Sequence, residues 1–138
     1  MSDLPILYSF RRCPYAMRAR MALAASGAEV MLREVLLKHN PAELLAASPK
    51  ATVPVLVLSK DQALEESLDV MQWALEHCDP LGWLDDAPLD SGWISECDGD
   101  FKHWLDRYKY AEGYRDHTAE DYRSNAEEFI QKLEHILK

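Results

Sequence analysis

Ile6-Leu7-Tyr8-Ser9-Phe10-Arg11-Arg12-Cys13-Pro14-Tyr15-Ala16 is the stretch that decides how this chain folds. Residues 6–10 form a short apolar and aromatic run that stops at two arginines, the pattern of a buried strand. Pro14 suits the first position of a helix, where an amide N–H would have no intrahelical acceptor and a fixed φ is already helical. Cys13 is then the expected N-cap, Met17, Met21, Ala24 and Ala25 the expected apolar face, and Gly27 the expected stop. A cysteine at a strand-to-helix junction meets free N–H groups and the positive end of the helix dipole, which favour the thiolate over the thiol. Thiol chemistry is therefore the first expectation for this position.

Working outward, residues 30–36 read as a second strand. Asn40-Pro41-Ala42-Glu43 offers an N-cap, a proline at the first helical position and an acidic residue three beyond the cap, for a helix that should end near Ser48 and Pro49. Residues 53–58 are branched and apolar with an early proline, and a polar turn over 59–62 separates them from a short strand over 63–65, as in an antiparallel hairpin. Ser67 then caps a helix in which Leu68, Val70, Met71, Ala74, Leu75 and Cys78 recur at helical spacing. The order βαβ then ββα predicts an α/β domain over residues 1–79.

Residues 80–88 are polar and proline-containing and read as a linker, with Trp83 and Leu84 as docking residues. From 89 to 138 only helical patterns follow. Trp93, Cys97, Phe101, Trp104, Leu105 and Tyr108 make one stripe; Tyr122, Ala126, Phe129, Ile130, Leu133, Ile136 and Leu137 make another after a Thr118-x-x-Asp121 start. Two amphipathic helices cannot bury both faces alone, so the expectation is a partial all-α domain.

Composition sets the class. An apolar share of 48% beside 28% charged residues belongs to a globular chain and not to a disordered one. The start lacks a basic segment leading into a long apolar run, and no stretch approaches the roughly 18 apolar residues of a membrane span. Three cysteines, Cys13, Cys78 and Cys97, are too few and odd for a disulfide framework, so a reducing, cytoplasmic setting is expected. Cys78 and Cys97 read as core residues on helix faces. His77, Cys78, Cys97 and His103 have no recognised metal spacing, and the acidic run over 85–100 lacks the ligand alternation of a calcium loop, so no metal is expected.

The net charge of −9 excludes a generic nucleic-acid binder. Its distribution is uneven: residues 1–50 carry seven Lys/Arg against four Asp/Glu, while residues 51–138 carry eight against twenty. Arg11, Arg12, Arg18 and Arg20 surround Cys13 in sequence, so a small anion would meet a locally positive field there.

The ordered set of Leu7 to Ala16, then Ser48-Pro49-Lys50-Ala51-Thr52-Val53-Pro54-Val55-Leu56, then Glu65-Glu66-Ser67-Leu68-Asp69 resembles the glutathione S-transferase superfamily. The resemblance covers most of the chain and implies a thioredoxin-like N-terminal domain followed by an all-helical one. Cys13 matches the cysteine of Cys-type members, which are closer to omega-class transferases and glutaredoxins than to Tyr- or Ser-dependent ones, and its implied partner is the glutathione sulfur. Pro54 matches the family's cis-proline, which would present the Val53 N–H and C=O to the cysteinyl part of the tripeptide like an added strand. Glu66 and Ser67 match the pair that holds the γ-glutamyl ammonium and carboxylate at a helix N-terminus. Lys38 matches a glycyl-carboxylate contact approximately.

Two departures shape the expected activity. Ala16 stands where a dithiol glutaredoxin carries its second cysteine, which implies a monothiol route to glutathione-dependent thiol transfer on a small electrophilic or disulfide substrate. The helical part is shorter than the family's, as in a fragment or a shortened member; a homodimer is the assembly the resemblance suggests, with no nucleic-acid or membrane partner. Two alternatives stand beside this: a glutathione-binding or regulatory module without turnover, and conjugation assisted by the Tyr8 or Ser9 hydroxyl.

Overall fold

Alternation along β1 (Ile6–Ser9) sends Leu7 to one face of a sheet and Tyr8 to the other, and the two cores of the N-terminal half grow from these residues. The computed structural model describes residues 3–36, 38–86 and 92–138, and the chain divides into two units, Met1–Pro88 and Leu89–Lys138. In the first unit β1 is followed by α1 (Pro14–Ser26), β2 (Met31–Glu34), α2 (Ala42–Ala47), β3 (Val55–Ser59), β4 (Gln62–Leu64), α3 (Ser67–His77) and α4 (Trp83–Asp86). The sheet order is β2-β1-β3-β4; β1 and β2 are parallel, and the other pairs are antiparallel. This is the βαβ then ββα order that the residues predict, in the thioredoxin-like arrangement that the family resemblance implies.

On one face Leu7 and Leu56, opposite each other in register, pack with Ala19, Ala22 and Leu23 of α1 and Val70, Ala74 and Leu75 of α3. On the other face Tyr8, Val35 and Val55 pack with Leu44 of α2. The face of α1 differs from the expected one: Met17 and Met21 are 41% and 62% exposed, while Ala16, Ala19, Ala22, Leu23 and Ser26 are buried. Small side chains let α1 approach α3 closely, so size and not hydropathy selects the buried face. The helix ends as expected at Gly27, whose φ of 73° closes it with bonds from Gly27 N–H to Ala24 O and from Ala28 N–H to Leu23 O.

Boundaries shift where a proline or a cap competes. Pro41, expected at the first helical position of α2, is its N-cap; the Asn40 Oδ1 expected to cap it is buried and accepts no hydrogen bond among the described residues. Ser67 opens α3 as its first residue, with Glu66 at the N-cap. Cys78, expected in the core, is exposed at the far end of α3. The stretch expected as a linker contains α4, capped by the Asp79 carboxylate, which accepts from the N–H groups of Trp83 (2.9 Å) and Leu84 (2.8 Å). Leu84 packs against the α1/α3 core, and residues 87–88 lie outside the described residues.

Between α2 and β3 the chain must reverse, and Ala51 does so at φ 56°, with its N–H donating to Ser48 O at 3.0 Å. A left-handed residue with a Cβ costs roughly 1–2 kcal/mol, part of which glycine would recover. Ala51→Gly is expected to stabilise the fold by about 0.5 kcal/mol and Ala51→Val to destabilise it by about 1 kcal/mol or more, read from urea unfolding midpoints.

In the second unit α5 (Gly92–Glu96) runs through a π-helical turn (Cys97–Phe101) into α6 (Lys102–Lys109), and a 3-10 turn (Ala111–Gly113) precedes α7 (Ala119–Leu137). Residues 89–91 lie outside the described residues. Thr118 and Asp121 form the expected capping box. The single stripe expected from Trp93 to Tyr108 is interrupted by the π turn, which contains Gly99 and places Cys97 half-buried instead of in a core. Of the α7 stripe, Tyr122, Ala126 and Phe129 are buried, whereas Ile130, Ile136 and Leu137 are exposed. Phe129 meets Phe101 and Trp93 at ring-centroid distances of 5.1 and 6.1 Å, and Trp104 stacks on Tyr122 at 6.3 Å. No helix among the described residues is long and apolar enough to cross a membrane.

The Tyr122 hydroxyl donates to the Asp116 carboxylate and accepts from the His117 N–H at 3.1 Å. The hydrogen bond from Tyr122 holds the Asp116 carboxyl below its ordinary value of 3.8, and burial pushes the Tyr122 hydroxyl up. A carboxyl depressed by folding contributes stability above its unfolded value and loses it as pH falls through the lower folded value. Wild-type protein should therefore lose more thermal stability than Asp116→Asn as the pH is lowered through and below the ordinary carboxyl range, as measured by circular dichroism melts.

Candidate functional site

The site forms where three chain reversals meet at one end of the sheet. Phe10 O accepts from the Cys13 N–H at 3.1 Å, turning the chain out of β1, and Cys13 O accepts the first helical bond of α1 from Met17 at 2.9 Å. Cys13 is thus the N-cap of α1, with extended backbone (φ −79°, ψ 119°), and its half-buried side chain makes no cap. Its thiol donates to the Val53 carbonyl instead, with Sγ 3.7 Å from the oxygen. Val53 precedes β3 through a cis peptide bond to Pro54, which is buried.

At the start of α3, Ser67 is 4% exposed and its hydroxyl accepts from Nε of Arg18 at 2.9 Å. Arg18 lies on α1, its guanidinium carbon 5.1 Å from the centre of the Tyr15 ring. Glu66 is exposed and pairs with Lys50 at 2.8 Å; this hydrogen bond and charge raise the Lys50 pKa above its ordinary value. An exposed pair of this kind contributes little to stability, so the Glu66 carboxylate is available to a better-placed cation. Its neighbour Glu65 is held by the Ser48 hydroxyl at 2.5 Å.

Cys13 and Val53 are in contact, and Arg18 joins the Ser67 hydroxyl to the helix that Cys13 begins. Lys38 is not drawn in: it sits on the exposed turn closed by His39 N–H to Leu36 O (2.8 Å) and bonds to no other candidate residue among those described. Arg18 and Lys50 are the additions. Each lies far in sequence from its partner, and spacing alone could not pair them.

The local positive field has a structural component too. Arg20 donates to Ser9 Oγ (2.5 Å), Phe10 O (3.2 Å) and Arg11 O (3.1 Å), and Glu34 accepts from the Arg11 N–H at 2.7 Å. These bonds fix the loop that carries Cys13. They also engage the buried Ser9 hydroxyl, while Tyr8 packs among Val35, Leu44 and Val55. No cluster of three or more His, Cys, Asp or Glu suited to a metal occurs among the described residues.

A family model for the glutathione S-transferase N-terminal domain matches residues 7–81. Glutathione S-transferase omega-1 of Sus scrofa is 31% identical over 84 residues, which are 61% of this chain and 35% of that protein. Among solved structures, glutathione transferase Omega 3C from Trametes versicolor matches with a TM-score of 0.79 at 20% identity, over 96% of this chain and 62% of that one. Ure2p in complex with glutathione matches with a TM-score of 0.68 at 15% identity, over 98% of this chain and 68% of that one. The chain thus spans about a third of the length of its curated relative, and at these identities the solved structures speak for the fold.

Proposed function

Since the chain belongs to the glutathione S-transferase family, we propose that it is omega-like within that family, binds glutathione and uses Cys13 for glutathione-dependent thiol transfer; the similarity to an omega-1 transferase supports this. The observation that carries this is the part-buried contact of the Cys13 thiol with the Val53 carbonyl, which puts a sulfur beside the backbone that leads through cis-Pro54 into β3. The Val53 carbonyl has a second lone pair beside the one that the Cys13 thiol meets, so it can accept from the amide of the tripeptide's cysteine, and the Val53 N–H donates to the same residue's carbonyl.

Glu66 takes the γ-glutamyl ammonium and Ser67, with the first N–H groups of α3, takes its carboxylate. Lys38 contributes at longer range to the glycyl end. The Cys13 thiolate attacks the glutathione sulfur of a mixed disulfide, forming a Cys13–glutathione disulfide and expelling the substrate thiolate, which takes up a proton. A second glutathione thiolate attacks the glutathionyl sulfur, leaving as oxidised glutathione and restoring Cys13. Ala16 offers no thiol to resolve the intermediate, so it persists until the second glutathione arrives.

Incubation with oxidised glutathione should add one glutathionyl group to Cys13, located by peptide mass spectrometry, and reduced glutathione should remove it while a mixed-disulfide substrate is turned over. An adduct without turnover would leave a binding module; conjugation of an aromatic electrophile that persists in Cys13→Ser would move the chemistry to a hydroxyl.

A further inference from the structure

We propose that β2 is the edge through which two copies of this chain associate, as a two-fold antiparallel pair of strands; this goes beyond the glutathione reading and does not depend on it. β2 lies at one end of the sheet order β2-β1-β3-β4, so among the described residues one of its sides has no strand beside it. The Met31 N–H donates to Pro5 O and the Val35 N–H to Ser9 O, both at 2.8 Å. Ladder bonds to one neighbour use alternate residues, so the N–H and C=O groups of Leu32 and Glu34, and of Val30 just before the strand, face outward. A row of unpaired groups is a template for another strand. The side chains along this edge are apolar as well: Met31 is 42% and Leu32 54% exposed, and Leu32 borders a cleft of about 470 Å³ with Leu4, Leu23 and Val30.

The run Glu29-Val30-Met31-Leu32-Arg33 is complementary to itself, which makes the occupant a second copy. A two-fold axis through Met31, perpendicular to the sheet, sets the strands antiparallel and keeps like faces on the same side. Met31 then opposes its counterpart, Leu32 opposes Val30 of the second copy, and Arg33 opposes Glu29 of the second copy. Leu32, in register with Leu7, and Val30, two residues before it, share one face, and their outward backbone groups make them the hydrogen-bonded pair on each side of the axis. Met31 with Met31 and Arg33 with Glu29 fall at the non-hydrogen-bonded positions, where side chains approach most closely. Both charges are free for this. Among the described residues Arg33 bonds only the Met31 sulfur, at 3.1 Å, and neither Arg33 nor Glu29 belongs to an ion pair, whereas Glu34 is engaged by the Arg11 N–H. Other registers lose the match: an axis through Arg33 opposes two arginines, and one through Leu32 sets Arg33 against Met31 and Glu34 against Val30.

Sedimentation equilibrium on the full chain provides the test. Wild-type protein should associate reversibly into a dimer at or below about 200 µM. Arg33→Glu and Glu29→Arg should each weaken the dimer about tenfold or more by opposing like charges, and the two combined should restore it to within about threefold of wild type. Inside one chain the two positions are about 13 Å apart along extended backbone, so the exchange cannot act within a monomer. Leu32→Pro removes an outward N–H and spares the bonds to β1, so it should give a monomer with an unchanged circular dichroism spectrum; the charge variants carry the test where this one folds poorly. Met31→Cys, oxidised with diamide, should yield a dimer linked through the two introduced thiols, located by peptide mass spectrometry. Wild-type protein that stays monomeric throughout that concentration range would overturn the proposal and leave the edge to a strand of another protein. A dimer that Arg33→Glu and Leu32→Pro leave intact, or a double charge variant as weak as either single one, would overturn it too.

Discussion

Cys13→Ser is expected to reduce turnover of a glutathione mixed disulfide by about three orders of magnitude or more, because a serine hydroxyl is not ionised near neutral pH and forms no disulfide. The same substitution should leave affinity for S-methylglutathione, which cannot form a disulfide, within about threefold, since in the proposed function the Val53 backbone, Glu66 and Ser67 hold the tripeptide and the sulfur contributes chemistry more than binding. The other cysteines provide the contrast. Cys78 lies at the opposite end of α3 from Glu66 and Ser67, and Cys97 lies in the π-helical turn of the second unit. Cys78→Ser and Cys97→Ser should each retain turnover within about twofold. If Cys13→Ser keeps a tenth or more of the activity, or either control removes it, the assignment of the nucleophile is wrong.

Legibility in the sequence follows the range of the interaction that decides each feature. The helix started by Pro14 and stopped by Gly27, the hairpin after Pro54 and the Thr118–Asp121 capping box were all readable because each depends on residues within a few positions of one another. The buried face of α1 was not. Met17 and Met21 outrank alanine in hydropathy, but it is Ala19, Ala22 and Leu23 that pack between α1 and α3, and which face of α1 meets α3 is a tertiary quantity. The π turn over Cys97–Phe101 likewise breaks a periodicity that looked continuous. At the candidate site Cys13, Val53 and the Glu66–Ser67 helix start were legible because the short motifs that hold them carry the family resemblance. Their partners, Arg18 for Ser67 and Lys50 for Glu66, depend on how α1, α3 and the Ala51 turn are brought together.

Phe129→Ala should be the most damaging single change to the second unit. The buried residues of α7 are Tyr122, Ala126 and Phe129, and the Phe129 ring meets both Phe101 and Trp93. Truncating a buried phenylalanine costs about 3–5 kcal/mol, as much as a hydrophobic core of this size commonly supplies. Ile130 is the neighbouring control: it is 48% exposed, so Ile130→Ala removes little buried surface and should cost under about 1 kcal/mol. Hydrogen exchange read by mass spectrometry separates the two. In Phe129→Ala, peptides over residues 119–137 should exchange at nearly unfolded rates, whereas in Ile130→Ala they should keep most of their protection. Equal exchange in the two variants would mean that the packing around Phe129 does not hold α7, and that the exposed Ile130, Ile136 and Leu137 side carries its stability instead.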